Sequence, residues 1–246
     1  MRIISIASGS KGNATVVEYN GSAILIDCGV PYKALNGCEV EAALVTHSHA
    51  DHVSGLPVLV KRRDIPVYAN MMTAETVVHE CGVPEDAFVC FENGQPFEIG
   101  PFTVQPFSIP HDTSDPVGFL VRAGGETYFH GTDIGTPLDS VGLKLAEADV
   151  ATLESNHDPV MLRTSGRPPC LIQRIAGPRG HLSNDQACDL VRRFASPRLR
   201  TLALAHLSRD CNEPHVAEGA MRTALCEIGR TDIELRILRQ DEIVEI

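Results

Sequence analysis

The sequence predicts an α/β protein, and three observations lead to this class. The chain has 246 residues, of which 43% are hydrophobic and 22% are charged, a composition typical of a globular protein with a sizeable core. Short β-rich apolar runs alternate with segments of helical periodicity such as residues 73–81. No apolar run approaches the roughly 20 residues that a membrane span needs. We expect one large domain over residues 1–246, or two fused halves.

The first elements are predicted to be strands. Residues 1–9 contain an apolar run that is too short for a secretory signal and better suits a first strand. Asn20-Gly21 separates two β-rich runs, residues 15–19 and 22–27, and is a strong hairpin signal. Before this hairpin lies a loop of small residues, SGSKGN at 8–13, whose backbone amides could face an anion.

Later elements carry similar signals. Gly82 is predicted to end the helix at 73–81, and Ser183 with Gln186 forms a capping box that begins another helix. A last helix starts near Pro214 and stops at Gly229. The other predicted elements are a short helix at 53–62 and strands at 65–69, 97–109 (interrupted at 100–101), 117–122, 127–130, 149–154, 199–205 and within 233–246.

The strongest signal for function is a cluster of histidines after a buried strand. The apolar run 42–45 leads into the motif THSHADH at 46–52. In an extended strand tip successive side chains alternate, so His47, His49 and Asp51 can converge while His52 turns in at the next element. Imidazole and carboxylate are ordinary ligands of Zn²⁺ and related divalent ions. The pattern favours a metal site over a polar turn that holds histidines by chance.

This motif resembles the signature of the metallo-β-lactamase fold superfamily. The resemblance implies a four-layer αβ/βα sandwich with a two-metal site at the strand ends. It also implies a later His, a bridging Asp and a last His. These positions match His111, Asp133 and His206. The implied ligand sets are His47, His49 and His111 for one ion, Asp51, His52 and His206 for the other, with Asp133 bridging both.

The implied cofactors are two divalent ions, Zn²⁺ or Mn²⁺, with Fe²⁺ also suited to these ligands. A hydroxide between two ions would be the nucleophile for in-line attack on phosphorus, and Asp51 is assigned to this catalytic site. In the tRNA 3′-processing members, a histidine motif with an upstream Glu assists the leaving group. The segment GHLS at 180–183 with Glu154 is similar, so His181 is expected to be a general acid or a phosphate contact.

Four segments narrow the resemblance to the YycJ/WalJ-type branch of the superfamily, whose members are bacterial, cytoplasmic, metal-dependent DNA exonucleases. The segments are SGSKGN at 8–13, ESNHD at 154–158, GHLSN at 180–184 and HLSRDCN at 206–212. Together they extend over nearly the whole chain. The chain departs from the expected pattern at residues 209–211 and in its acidic net charge, and both features bear on substrate preference.

The net charge of −11 by itself argues against a nucleic-acid partner. Nine arginines lie between Arg163 and Arg209 against two acids, so this arginine band carries +7 while the remainder carries −18. Arginine can bind phosphate through two parallel hydrogen bonds. About half of the band is nevertheless expected to be solvated or paired with acids. The substrate-binding candidates are His157, Arg174, Arg179, Ser183 and Arg209. For His157, a loop histidine bonded beside Asp158 is an equal alternative.

The function predicted first is a metal-dependent phosphodiesterase that degrades nucleic acid as an exonuclease, with DNA favoured over RNA and no membrane partner. The alternatives are hydrolysis of a small cyclic phosphodiester and, less favoured, thioester hydrolysis of the glyoxalase II type, whose enzymes carry an added C-terminal helical domain. Eight cysteines without a Cys-x-x-Cys pair indicate a reducing, cytoplasmic location. The oligomeric state stays open, with a homodimer as one option.

Overall fold

A computed structural model describes residues 1–35 and 37–246. The chain divides into two compact units. The first comprises Met1–Ser108, Thr113–Glu126 and Arg239–Ile246, and the second comprises Ile109–Asp112 and Thr127–Leu238. A single domain over residues 1–246 stays a prediction.

The strands are numbered in chain order. They are β1 (Arg2–Ala7), β2 (Ala14–Tyr19), β3 (Ser22–Ile26), β4 (Ala42–Leu44), β5 (Val67–Asn70), β6 (Phe88–Phe91), β7 (Phe97–Ile99), β8 (Phe102–Ser108), β9 (Val117–Ala123), β10 (Glu126–Gly131), β11 (Val150–Glu154), β12 (Thr201–Ala205), β13 (Glu234–Ile237) and β14 (Val244–Glu245).

The helices are numbered in the same way, and short 3₁₀ turns occur at Tyr32–Leu35 and Glu85–Ala87. They are α1 (Ala50–Val53), α2 (Leu56–Arg63), α3 (Met71–Cys81), α4 (Asp139–Leu145), α5 (Pro159–Thr164), α6 (Pro169–Ile175), α7 (Asn184–Phe194) and α8 (Pro214–Glu227). In the described part of the chain, none of these helices has the length and apolar character needed to cross a membrane.

One seven-stranded sheet lies within the first unit, in the order β14-β1-β2-β3-β4-β5-β6. The pairs from β14 to β3 are antiparallel, and those from β3 to β6 are parallel. The predicted hairpin is confirmed, because β2 and β3 pair around Asn20 and Gly21, whose φ angles are 54° and 86°. Positive φ at both turn residues is what a type I′ hairpin requires.

The core of the first unit is built from side chains of this sheet and its helices. Val16 and Leu25 on the sheet and Val53 and Leu56 on α1 and α2 are completely buried in one cluster. Each such side chain contributes about 1.5–3 kcal/mol relative to an exposed one. The chain between α1 and α2 breaks at Gly55, where a Cβ would lie 2.1 Å from the Val30 carbonyl oxygen. The helix predicted at 53–62 is observed as α2, which begins three residues later, at Leu56.

Four strands of the second unit, β10 to β13, pair in parallel and in sequence order. All five residues of β11 are buried, as expected for a parallel strand covered on both faces. The predicted capping box of α7 is confirmed, with Ser183 Oγ accepting from the Gln186 amide and Gln186 Oε1 accepting from the Ser183 amide. The carboxyl ends of β10, β11 and β12 lie at one edge and lead to Asp133, Glu154 and His206.

Candidate metal centre

The first histidine cluster follows β4 in the first unit. His47 and His49 lie in the loop after Leu44, and Asp51 and His52 lie in α1. The expected strand tip is wrong for Asp51, which lies in a helix and not in an extended strand, whereas His52 turns in with the next element as expected. The His47 ring centroid lies 4.8 Å from that of His49 and 4.1 Å from that of His52. Three imidazoles and one carboxylate thus occupy one small volume.

Asp27 supports this cluster from the end of β3. Its carboxylate accepts from Thr46 Oγ1 at 2.8 Å, from the Thr46 amide at 2.9 Å and from His52 Nδ1 at 2.8 Å. Thr46 Oγ1 donates its hydrogen to Asp27, so it acts as the acceptor for His47 Nδ1 at 3.0 Å. One buried carboxylate therefore fixes the orientation of two histidines.

Replacing Asp27 with Asn should lower the affinity for divalent metal by about ten- to a hundredfold. The amide NH₂ of Asn would face N–H and O–H groups that now donate hydrogen bonds to the Asp27 carboxylate. The measurement is a Zn²⁺ competition titration with a chromophoric chelator. Glu75→Gln, an exposed change on α3, is the matched control and should bind as the unaltered chain does. An Asp27→Asn chain with unaltered affinity would contradict this support role.

The second cluster lies in the second unit. The Asp133 Oδ1 atom lies 3.7 Å from His111 Nε2 and 3.5 Å from Nδ1 of both His181 and His206. Ligand-type atoms of Asp133, Glu154, His181 and His206 all lie within 4.8 Å of one another. Asp133 and His206 adopt φ angles of 59° and 56°, a left-handed backbone that costs a non-glycine residue roughly 1–3 kcal/mol. Such strain at strand ends is typical of a functional site.

Glu154 connects the histidines of this cluster. Its side chain is completely buried. Oε1 accepts from His181 Nδ1 at 2.9 Å and from His206 Nδ1 at 3.0 Å. Oε2 accepts from the amides of Ile134 at 2.8 Å and Leu182 at 2.9 Å. Because an ionised carboxylate only accepts, both imidazoles carry their proton on Nδ1 and present Nε2.

Glu154 and His181 shift each other's pKa values. Burial raises the pKa of Glu154, but the charge and hydrogen bonds of His181, with the hydrogen bond of His206, outweigh burial and hold the pKa below its usual value. Burial lowers the pKa of His181, but the adjacent Glu154 carboxylate outweighs that effect and raises the pKa. Glu154 is therefore an anion that stabilises a protonated or hydrogen-bond-donating His181.

His111 is held by the segment that precedes His181. Its Nδ1 lies 3.0 Å from the Gly180 carbonyl oxygen, an acceptor that fixes the proton on Nδ1. The His111 carbonyl oxygen accepts from Arg179 Nε at 2.8 Å. Arg174 pairs with the neighbouring Asp112. Two of the arginines predicted to bind substrate therefore also hold the residues around the third histidine.

The histidines share one pattern that suits metal ligation. Five rings turn Nδ1 toward a protein acceptor, which leaves Nε2 as the ligand atom. The acceptors are Thr46, Asp27, Gly180 and Glu154, the last serving two rings. Metal-ligating histidines typically show this arrangement. The five rings are those of His47, His52, His111, His181 and His206. The four of them that are predicted ligands, all except His181, form a donor set that fits divalent ions.

His157 and Ser183 adjoin the second cluster. They pair in a parallel β-bridge, and Ser183 caps α7. His157 is 3% exposed, and its Nδ1 finds no hydrogen-bond partner among the described residues. Burial lowers the pKa of its imidazole, which favours the neutral ring. The predicted substrate role of His157 and Ser183 stays a prediction, as does that of Arg209.

The arginine band is largely paired with carboxylates, more fully than the half expected from the sequence. Six of its nine members form ion pairs within the second unit: Arg167 with Asp210, Arg174 with Asp112, Arg192 with Glu227, Arg193 with Asp139, and Arg198 and Arg200 with Asp149. Such exposed pairs contribute at most about 1 kcal/mol each. Much of the band's charge is therefore already compensated.

Two histidine clusters with ordered Nδ1 partners, each beside strand ends of an α/β fold, define a metal-dependent hydrolase. The Beta-lactamase superfamily domain matches residues 23–206, more than half of the chain, and the chain therefore belongs to the β-lactamase superfamily.

Relatives within this superfamily are nucleases by name. The chain is 32% identical to Exodeoxyribonuclease YycJ of Bacillus anthracis over 234 residues, covering 91% of this chain and 89% of the relative. It is 28% identical to Exodeoxyribonuclease WalJ of Streptococcus pneumoniae over 240 residues, covering 93% and 88%. The predicted YycJ/WalJ-type branch is confirmed. The chain is a metal-dependent nuclease or phosphodiesterase.

Solved structures confirm the predicted fold class. The metallo-β-lactamase fold protein YhfI from Bacillus subtilis superposes with a TM-score of 0.73 over 100% of both chains at 17% sequence identity. At this identity the match bears on the fold alone, which is an α/β sandwich of the metallo-β-lactamase kind.

Proposed function

We propose that the chain is a cytoplasmic DNA exonuclease with two divalent ions. The observation that carries this proposal is the similarity, over about nine tenths of the chain, to relatives named exodeoxyribonuclease. The donor set of the two histidine clusters supports it independently. We assign as ligands His47, His49, Asp51, His52, His111, Asp133 and His206.

The bound ions would supply an activated water as nucleophile and neutralise charge that develops on the phosphate. The chain's own residues orient the ligands and handle the leaving group. Asp27, Thr46, Gly180 and Glu154 fix the imidazoles, as described above. No Ser, Cys or Lys nucleophile is required for this reaction class.

His181 is the proposed general acid, which donates a proton to the leaving-group oxygen. Its Nδ1 is held by Glu154, so Nε2 is the atom left to face a substrate. The side chain is 22% exposed, whereas those of His111 and His206 are 2% and 3% exposed. Among these three rings, His181 is the one most open to a substrate. Glu154 acts through His181 and not on the substrate itself, because all four of its hydrogen bonds lie within the protein.

The proposal is tested with end-labelled single- and double-stranded DNA and RNA of equal sequence, incubated with Mn²⁺- or Zn²⁺-loaded protein. We expect DNA to be shortened stepwise from one end and RNA to be cleaved more slowly. A parallel reaction with a cyclic dinucleotide separates the small-diester alternative. Cleavage of RNA or of the cyclic dinucleotide, with intact DNA, would contradict the proposal.

Binding of DNA should depend only weakly on salt. Six arginines of the band are paired with carboxylates, which compensates much of its charge, so the slope of log K against log[salt] should be no steeper than about −3. The measurement is fluorescence anisotropy of a labelled single strand with the inactive His49→Ala chain. Arg192→Ala, which removes an arginine paired with Glu227, should leave the slope unchanged. A slope steeper than about −6 would show that the paired arginines also contact phosphates.

A further inference from the structure

The loop at residues 8–13 is bound to the protein through its backbone. The amides of Ser8, Gly12 and Asn13 donate to the carbonyls of Arg239, Gly9 and Asp51, and those of Gly9 and Lys11 donate to the side chains of Asn13 and Gln240. Five of the six backbone N–H groups of residues 8–13 therefore donate hydrogen bonds within the first unit. The structure therefore does not support the possibility that these backbone amides face an anion, and it shows that the loop is tied to its neighbours instead.

Asn13 joins the loop to the first histidine cluster. The residue is 6% exposed. Its backbone amide donates to the Asp51 carbonyl at 2.8 Å, and its own carbonyl accepts from the Gly29 amide at 2.9 Å. Its Oδ1 accepts from the Gly9 amide at 2.8 Å, and its Nδ2 donates to the Gly9 carbonyl at 3.1 Å. The side chain thereby closes the loop on itself.

The same amide nitrogen reaches two predicted metal ligands. Asn13 Nδ2 lies 3.0 Å from His52 Nε2 and 3.4 Å from Asp51 Oδ2. Those two ligand atoms are 3.6 Å apart. Because His52 Nδ1 donates to Asp27, Nε2 carries the lone pair that faces Asn13. The two hydrogens of the Asn13 amide also face the Gly9 carbonyl and the Asp51 carbonyl and carboxylate. Asn13 therefore keeps hydrogen-bond acceptors when the His52 Nε2 lone pair binds a metal ion.

The loop is itself held in place from the other end of the chain. Gln240 accepts from the Lys11 amide at 2.8 Å and donates to the Gly12 carbonyl at 2.7 Å. Close backbone packing completes the support. A Cβ on Gly12 would lie 2.3 Å from the Gly29 carbonyl oxygen, and one on Gly29 would lie 1.6 Å from the Asp51 carbonyl oxygen. A continuous set of contacts thus runs from Gln240 through the loop to Asp51.

We propose that Asn13 is a positioning residue that sets Asp51 and His52 as a matched pair of metal ligands, with the 8–13 loop and Gln240 as its support. The inference rests on the proposed function for the assignment of Asp51 and His52 as ligands of the same ion. Asn13 does not touch the substrate. Its effect is confined to the ion that Asp51 and His52 would hold, because these are the two predicted ligands that its side chain contacts.

The test is a titration of metal-free protein with Co²⁺, followed by its visible absorption, without nucleic acid. The unaltered chain should bind two equivalents. Asn13→Ala should weaken one equivalent by tenfold or more and alter its absorption band, while the other equivalent keeps its affinity and its band. Gln240→Ala should weaken the same equivalent to a smaller degree. Ser10→Ala, an exposed change in the same loop, is the matched control and should bind as the unaltered chain does.

Two results would overturn the inference. One is an Asn13→Ala chain that binds both equivalents as tightly as the unaltered chain. The other is equal weakening of both equivalents with a lower unfolding temperature of the metal-free protein, which would reduce Asn13 to general support of the first unit. An unaltered chain that binds two ions but leaves nucleic acid intact would count against the proposed function alone. An unaltered chain that binds fewer than two ions would contradict both.

Discussion

Replacing His49 with alanine is expected to reduce nucleic-acid hydrolysis by about a thousandfold or more. His49 lies 4.8 Å from His47, ring centroid to ring centroid, and is partly exposed, so its loss should disturb a ligand set without opening the core. Metal ions contribute several kcal/mol to stabilising the transition state of such reactions, and about 4 kcal/mol corresponds to a factor of a thousand.

The measurement is the rate of release of labelled nucleotide under single-turnover conditions, together with bound metal per chain. His79→Ala is the matched control, because His79 is an exposed residue of α3 and should leave both quantities unchanged. A His49→Ala preparation that keeps the activity of the unaltered chain would assign the observed cleavage to a contaminating nuclease.

Replacing Glu154 with glutamine should cost both stability and metal binding. The carboxylate accepts two imidazole N–H groups at Oε1 and two backbone amides at Oε2. An amide side chain offers one oxygen only, so its NH₂ must face either the two backbone donors or the two histidines. In the second case the histidines would have to move their proton to Nε2, the atom needed for metal or substrate.

We expect the free energy of unfolding to fall by about 1–3 kcal/mol and the metal affinity to fall by roughly ten- to a hundredfold. Chemical denaturation and the Zn²⁺ competition titration measure the two effects. Glu218→Gln, which alters an exposed pair with Arg222 on α8, should change neither. If Glu154→Gln left both quantities intact, the carboxylate would not be what orders His181 and His206.

The elements that the sequence predicts well are those specified by local chemistry. The Asn20-Gly21 turn, the capping box at Ser183 and the start of α8 at Pro214 each depend on residues within one turn of each other. The sequence does not predict the helices α4, α5 and α6. They have six or seven residues each, too short for a helical period to stand out.

The contacts around the candidate site depend on distant residues, and the sequence could not supply them. Asn13 meets Asp51, which lies 38 residues later in the chain, and Arg174 meets Asp112, which lies 62 residues earlier. The motif resemblance pointed to Glu154 and His181 as a pair, and they do meet. It gave no indication that Glu154 also holds His206, because only the parallel pairing of β11 and β12 brings them together.

The most direct test of the account is anomalous diffraction from a crystal of the Zn²⁺-loaded chain. We expect two anomalous peaks, one ligated by His47, His49 and His111 and the other by Asp51, His52 and His206, with Asp133 bound to both. A single peak, or peaks away from these side chains, would contradict it.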